Sequence, residues 1–342
     1  GIIYFWDEGR LVIGGIAAIT FIPFILLVKL HNRLFHQKDY LEKKIEINRQ
    51  ELQALAYDTS AFDNGEEFIN PSHLYTYDLD VFGEHSLFQY INRTATQPGK
   101  KRLAEWMNMH LKSKAEIEKR QEAVRELAPE LEMRQHFRVL GLLHKGKTAD
   151  EEEIRNWASS PEYYRKKWYF RTLAILIPTA NAVCIGLAIV GIISFTTWGI
   201  VFASIGLFSS SFSKGISRMQ SVYGKKMLIL TTYARLIHII EEKKMRCIAL
   251  KEIKELVGGE KQTASQAVKR LTELMNALDQ RNNMLMQFVM NGLFFWELRQ
   301  VMKIEAWKEN YAAHLPDWLE AIGEIDAYCS LACFASVSYT HL

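Results

Sequence analysis

The two longest uncharged stretches of the chain are strongly apolar, and most of the remainder mixes charged and apolar residues at helical spacing. Leu11 to Val28 is an apolar run of 18 residues, and Thr172 to Ser213 is 42 residues without a charged side chain. A helix rises ~1.5 Å per residue and a hydrocarbon core is ~30 Å thick. The first run is therefore just long enough to cross a bilayer once, and the second about long enough to cross twice. Gly191 with Ser194, Thr196 and Thr197 divides the second run. This predicts a helical hairpin over about Thr172–Ile193 and Trp198–Phe212, with Trp198 suited to an interface. Ser204 and Ser209–Ser211 dilute its second half. Pro23 is tolerable inside a membrane helix. Two alternatives stand beside this reading. The first run is short enough for a signal peptide, although no small-residue cleavage pattern follows it. The second run also suits a buried hairpin of a soluble protein.

The flanking charges orient all three predicted spans alike. Lys29, Arg33, Lys38, Lys43 and Lys44 follow the first; Arg165, Lys166, Lys167 and Arg171 precede the second; Lys214, Arg218, Lys225 and Lys226 follow the third. The positive-inside rule makes these sides cytoplasmic. The expectation is a multi-pass protein of the cytoplasmic (inner) membrane, with its soluble segments facing the cytoplasm and the 194–197 turn outside.

Elsewhere the pattern is helical. His31 to Ala56 reads as a helix leaving the membrane, and 57–78 as a loop broken by Asn64-Gly65 and Pro71. Ser113-Lys114-Ala115-Glu116 reads as a capping box opening a helix through Leu127, and Pro129 separates it from a helix over Leu131–Leu143. A further helix begins over Asp150–Trp157. Ile216 to Leu256 reads as nearly unbroken helix, ended by Gly258-Gly259. Helices are expected from Thr263 to Asn310 and from Pro316 to Ala335. No alternating strand pattern occurs, so the predicted fold is all-α, with long antiparallel helices.

One stretch organises the rest: Leu79 to Leu111, LDVFGEHSLFQYINRTATQPGKKRLAEWMNMHL. Gly83 permits a turn that a Cβ would oppose. Ser86, Leu87 and Phe88 open a short apolar-faced helix. Asn92, Arg93 and Thr94 interrupt it with side chains suited to local backbone bonds. Thr96 is a helix cap with Pro98 in the first turn behind it. Leu103, Trp106, Met107 and Leu111 then recur at helical spacing. The pattern F-G-x-x-S-L-F-x-x-[LI]-N-R-T-x-T-x-x-G-x-x-x-L-x-x-W resembles the entry to the core (lever) domain of MutS-type DNA mismatch repair ATPases. Its residues here are Phe82, Gly83, Ser86, Leu87, Phe88, Asn92, Arg93, Thr94, Thr96, Gly99 and Trp106. The helix motif I-x-x-R-x-x-A-V-x-x-L follows at Ile117, Arg120, Ala123, Val124 and Leu127. A further block agrees at Leu293–Trp307 and Leu315–Ala335. The resemblance implies that Trp106 packs against the helices around Trp296 and Trp307, since the family joins its two core blocks.

It also implies an activity that this stretch of sequence does not itself carry. The intact protein would bind ATP and Mg, hydrolyse ATP, and form a homodimer through an ATPase domain after Ala335. No G-x-x-x-x-G-K-[ST] occurs here. The chain is read as ending before that domain, with 337–342 expected to be a non-native tail and an ordinary divergent terminus as the alternative. The family's mismatch-reading wedge is a Phe-x-Glu. Phe82-Gly83-Glu84 and Phe295-Trp296-Glu297 match it only by letter, inside core blocks, and residues 29–78 are too few for the two domains that usually precede the core. The uncharged hairpin sits where the family's DNA clamp interrupts the core helices. The expected division is 1–30 a transmembrane helix, 31–75 a helical linker, 76–171 and 214–336 the two halves of the core, and 172–213 the membrane hairpin.

Charge and composition narrow the chemistry further. The net charge is +3, from 42 basic and 39 acidic residues, so any footprint for double-stranded DNA must be local. Lys100, Lys101 and Arg102 are the candidate phosphate contacts, with a solvated helix face as the alternative. The four cysteines, Cys184, Cys247, Cys329 and Cys333, show no metal spacing and read as small apolar residues. No catalytic or metal constellation emerges. Two functions follow: a membrane-anchored MutS-related core coupling an ATPase domain to DNA or a partner, or a membrane scaffold using the same core for protein contacts alone.

Overall fold

The computed structural model describes residues 10–143, 148–221, 223–258, 263–279 and 284–338. It divides into two units, one running through Asp58 and the other starting at Thr59. The first is one continuous helix, α1 (Arg10–Leu55), which Pro23 does not interrupt. Lys43 pairs with Glu46 at 2.6 Å along its charged half. Ile19, Ile22, Phe24, Leu26 and Leu27 are exposed along its apolar half. Residues 1–9 of the expected first span and 339–342 of the expected tail lie outside the described residues.

The second unit contains α2 (Leu87–Ile91), α3 (Gln97–Asn108), α4 (Lys114–Leu127), α5 (Leu131–Leu143), α6 (Thr148–Ser159), α7 (Trp168–Ile189) and α8 (Phe195–Ser221). It continues with α9 (Tyr223–Glu242), α10 (Ile248–Val257), α11 (Ala264–Asp279), α12 (Met284–Phe294), α13 (Trp296–Tyr311) and α14 (Leu315–Ser338). Among the described residues there is no strand, and the fold is all-α.

α14 lies at the centre, against α3, α4, α5, α9 and α10. Its sequence explains the position: Ala321, Ile322, Ile325, Ala327 and Ala332 are all buried, so apolar positions recur around the helix rather than on one stripe. Arg134 of α5 ties two neighbours to it, donating to the carbonyls of Leu127 and Ala128 at the end of α4 and to Ser336 Oγ of α14. A second layer is formed by α9, α11 and α13. The buried Trp307 of α13 joins it by donating from Nε1 to the Ala267 carbonyl at 2.7 Å.

Several expectations change against the structure. The helix expected from Ile216 to Leu256 breaks between α9 and α10, because the Glu126 carboxylate of α4 accepts from the backbone N–H of Arg246 (2.8 Å) and Cys247 (2.7 Å) and starts a new helix there. That is a tertiary cap, invisible in local sequence. The run from Thr263 to Asn310 holds helices as expected, α11, α12 and α13 among the described residues, with α12 and α13 separated at Phe295, whose φ is +50°. Ser113 stands at the start of α4 without a side-chain capping bond. Trp106 does not pack with the Trp307 cluster. It is half-buried, its ring 4.6 Å from Tyr328 of α14 and 4.2 Å from the Arg120 guanidinium. Trp307 meets Trp157, Tyr311 and Trp318 instead.

By length and hydropathy, one helix among the described residues is long and apolar enough to cross a membrane, Trp168–Ile189, and Phe195–Ser209 is a shorter apolar stretch.

Candidate functional site

The turn between α2 and α3 is built almost entirely from side-chain bonds. Ser86 caps α2, its Oγ accepting from Gln89 N at 3.2 Å. Gln89 then bridges outward, its Oε1 accepting from His85 N and its Nε2 donating to the Phe62 carbonyl at 3.1 Å. Asn92 Oδ1 accepts from the backbone and hydroxyl of Thr94, closing a local turn, while Asn92 Nδ2 donates to the Asp63 carbonyl. The Arg93 guanidinium lies over the Phe62 ring at 3.5 Å. Thr96 caps α3, accepting from Gly99 N at 3.1 Å. Beneath the turn, Val81, Phe82, Phe88, Leu103 and Ala104 form one buried cluster with Ala327 of α14.

Asp326 of α14 completes this turn. Its carboxylate, 1% exposed, accepts from Ala95 N (3.0 Å), Thr96 N (2.8 Å) and Thr96 Oγ1 (2.7 Å). One helical turn further on, Ser330 Oγ accepts from Arg93 N at 2.8 Å and donates to the Ile91 carbonyl at 2.9 Å. Buried backbone donors need partners, and a buried carboxylate needs donors; each meets the other's need here. The approach is close enough to require glycine. A Cβ on Gly99 would collide with the Asp326 carboxylate, and one on Gly323 would stand 2.9 Å from the Pro98 carbonyl oxygen. Residues more than two hundred positions apart are thus clasped into one rigid joint between α14 and the α2–α3 turn.

The three candidate phosphate contacts sit beside this joint in different surroundings. Lys101 is exposed. Lys100 is buried, with its Nζ 2.6 Å from Asp63 Oδ1 and paired also with Glu67. Arg102 reaches Glu105, Glu320 and Glu324 at 3.1, 2.9 and 3.0 Å. Lys100 and Arg102 therefore hold carboxylates. Burial pushes the Glu324 carboxyl above the ordinary range, although the neighbouring Arg102 acts in the opposite sense. Tyr328 nearby is pushed up to about 12, again by burial first. Glu324 and Tyr328 line a cleft of about 330 Å³ with Trp106, Lys119 and Arg120.

Neither Phe-x-Glu tripeptide offers a wedge: Phe82 is 6% and Phe295 1% exposed, so neither ring is free to stack on a base. Among the described residues, no three His, Cys, Asp or Glu side chains converge as a metal site.

Sequence reasoning missed Asp326, Ser330, Glu126 and Glu305. A signal existed for Asp326, as the lone charge in the otherwise uncharged run Ile325–Ala335. Glu305 is buried in α13 and accepts from the backbone N–H of Tyr163 (2.9 Å), Tyr164 (3.0 Å) and Arg165 (2.6 Å), anchoring the segment that leads into α7. No curated protein and no solved structure matches the chain, whereas the family model described as MutS domain III matches residues 73–332.

Proposed function

The chain belongs to the MutS domain III family, and from that premise we propose that it is a membrane-anchored MutS-type core whose helices relay a displacement of α14 to a DNA or partner-binding surface. The Asp326 clasp carries this reading. A shift of α14 along its axis must either break three hydrogen bonds to a buried carboxylate or carry the α2–α3 turn with it. In MutS relatives an ATPase domain follows the block that α14 forms here, so α14 is suited to receive a nucleotide-dependent movement. In this reading ATP, Mg and the homodimer contact belong to that domain.

Three membrane crossings complete the proposal: the apolar part of α1, then α7 and α8. The support is chemical. Ile175, Leu176, Val183 and Ile189 are exposed along α7, whose most apolar 18 residues have a mean hydropathy of 2.0. Arg165, Lys166, Lys167 and Arg171 flank its start. The soluble helices then face the cytoplasm.

A second reading, a membrane scaffold without a nucleic-acid role, is favoured by the carboxylate partners of Lys100 and Arg102. Duplex binding by the detergent-solubilised protein across a salt series separates the two. DNA handling predicts sequence-independent binding in the ~10⁻⁴–10⁻⁶ M range with steep salt dependence. Matched and mismatched duplexes should bind alike. Lys101→Gln should lower the salt slope by about 1 if Lys101 meets a phosphate. Lys100→Gln should instead lower stability, because it removes a buried side chain's ion pairs to Asp63 and Glu67. No binding at low salt supports the scaffold.

A further inference from the structure

The α7–α8 hairpin is not alone. α12 lies against α8 and α7, and Met284 to Trp296 contains no charged residue. The contact is made through glycines and aromatic rings. Phe288 lies on Gly206, where a Cβ would come within 2.7 Å of the ring, and Phe202 lies equally close on Gly292. The two rings meet edge-on at 5.7 Å. Because 202 faces 292 and 206 faces 288, α12 runs antiparallel to α8. Asn181 of α7 is buried and donates from Nδ2 to the Gly292 carbonyl at 2.7 Å, satisfying an acceptor freed by the end of α12.

The depth of this contact decides its meaning. Asn181 lies nine residues beyond Thr172, where the uncharged stretch begins, or ~14 Å along a helix. That is about half of a ~30 Å hydrocarbon core. The eleven residues of α12 rise only ~16 Å, too short to cross but long enough to reach the same depth. Small residues at the crossing and an amide bonded to a backbone carbonyl are how helices associate where water is absent. Val289 and Phe294 of α12 remain exposed and apolar, alongside the exposed Leu207 and Phe208 of α8.

We propose that α12 is a membrane-buried half-helix, entering the bilayer from the cytoplasmic side against the α7–α8 hairpin and contacting lipid through Val289 and Phe294. The proposal rests on the membrane reading of the hairpin. It makes the hairpin a mechanical part of the core. α12 passes directly into α13 at Phe295, and Asn291 Oδ1 accepts from Glu297 N at 3.0 Å across that junction. α13 in turn holds the segment before α7 through Glu305.

The test uses the full chain in phosphatidylcholine–phosphatidylglycerol vesicles. A diazirine-bearing photoreactive residue replaces Val289, Phe294, Val183 of α7 or the exposed Lys269 of α11, one at a time, and lipid adducts are read by mass spectrometry. The expected result is comparable lipid adduct at 289, 294 and 183, with none above background at 269. Adduct at 183 without adduct at 289 or 294 would place α12 outside the bilayer and overturn the proposal while sparing the membrane hairpin. Absence of adduct at all four positions would overturn both.

Discussion

Replacing Asp326 by alanine isolates the joint on which the proposed relay depends. Three donors lose their acceptor: Ala95 N, Thr96 N and Thr96 Oγ1. Hydrogen bonds to an ionised group contribute ~1.5–3 kcal/mol each, so the gross loss is roughly 5–9 kcal/mol. Removing the carboxylate also relieves its own desolvation, which offsets part of that sum. Breaking a buried charged network by deleting one partner costs about 3–5 kcal/mol net, the loss expected here. Asp326→Asn keeps the shape and one acceptor but turns an NH₂ toward backbone donors, so an intermediate loss should follow. The assay is denaturant unfolding in detergent followed by tryptophan fluorescence. An unchanged m-value is needed to read the midpoint shift as stability. Thr96→Val completes a cycle, since Thr96 Oγ1 both binds Asp326 and caps α3. Sharing one network, the two substitutions should deviate from additivity by roughly 0.5–3 kcal/mol. A loss below about 1 kcal/mol for Asp326→Ala, within the range of an ordinary neutral hydrogen bond, would refute the clasp.

Two further predictions concern neighbouring joints. Burial raises the Glu126 carboxyl, but bonds from the Arg246 and Cys247 backbones outweigh it, and the net shift is downward. Its contribution is therefore complete above the ordinary carboxylate range and lost as pH falls through the lower folded value; Glu126→Gln should flatten that acid limb of the stability–pH profile and cost about 1 kcal/mol at neutral pH, as for a lost helix cap. An unchanged acid limb would show that the break between α9 and α10 does not depend on Glu126. Trp106→Ala should cost roughly 1.5–3 kcal/mol, below the ~3–5 of a fully buried aromatic, because the ring is half-covered by Tyr328 and Arg120; unfolding midpoints of the variant and the parent measure it, and a loss of ~4 kcal/mol or more would mean the ring is enclosed.

Much of the fold was legible because its signals are local. Pro129 separates α4 from α5 where expected, Thr96 and Pro98 start α3, and Gly191 turns the hairpin with a φ of +82°. The joints were not legible, because their partners lie far apart in sequence. Glu126 creates a helix start 120 positions downstream, and Asp326 closes a turn 230 positions upstream. Asn92, Arg93 and Thr96 bind backbone groups as the motif suggests, whereas the Thr94 hydroxyl bonds the Asn92 side chain, and nothing within the turn itself identifies the carboxylate that completes it. Lys100 and Arg102 show the reverse problem: a basic run reads as available charge until Asp63, Glu67 and Glu324 are folded against it. α12 escaped notice because eleven residues are too few for a spanning signal, and only the contacts of Gly206 and Gly292 relate it to the hairpin.

The central claim is a MutS-type core built on a membrane with its soluble helices on one side. Labelling of intact cells with a membrane-impermeant maleimide tests it most directly, using Ser194→Cys in the hairpin turn and Lys114→Cys at the exposed start of α4, where the lysine side chain is 88% accessible. The account predicts that position 194 labels in intact cells and position 114 only after permeabilisation. Labelling of position 114 in intact cells, with position 194 silent until permeabilisation, would contradict it.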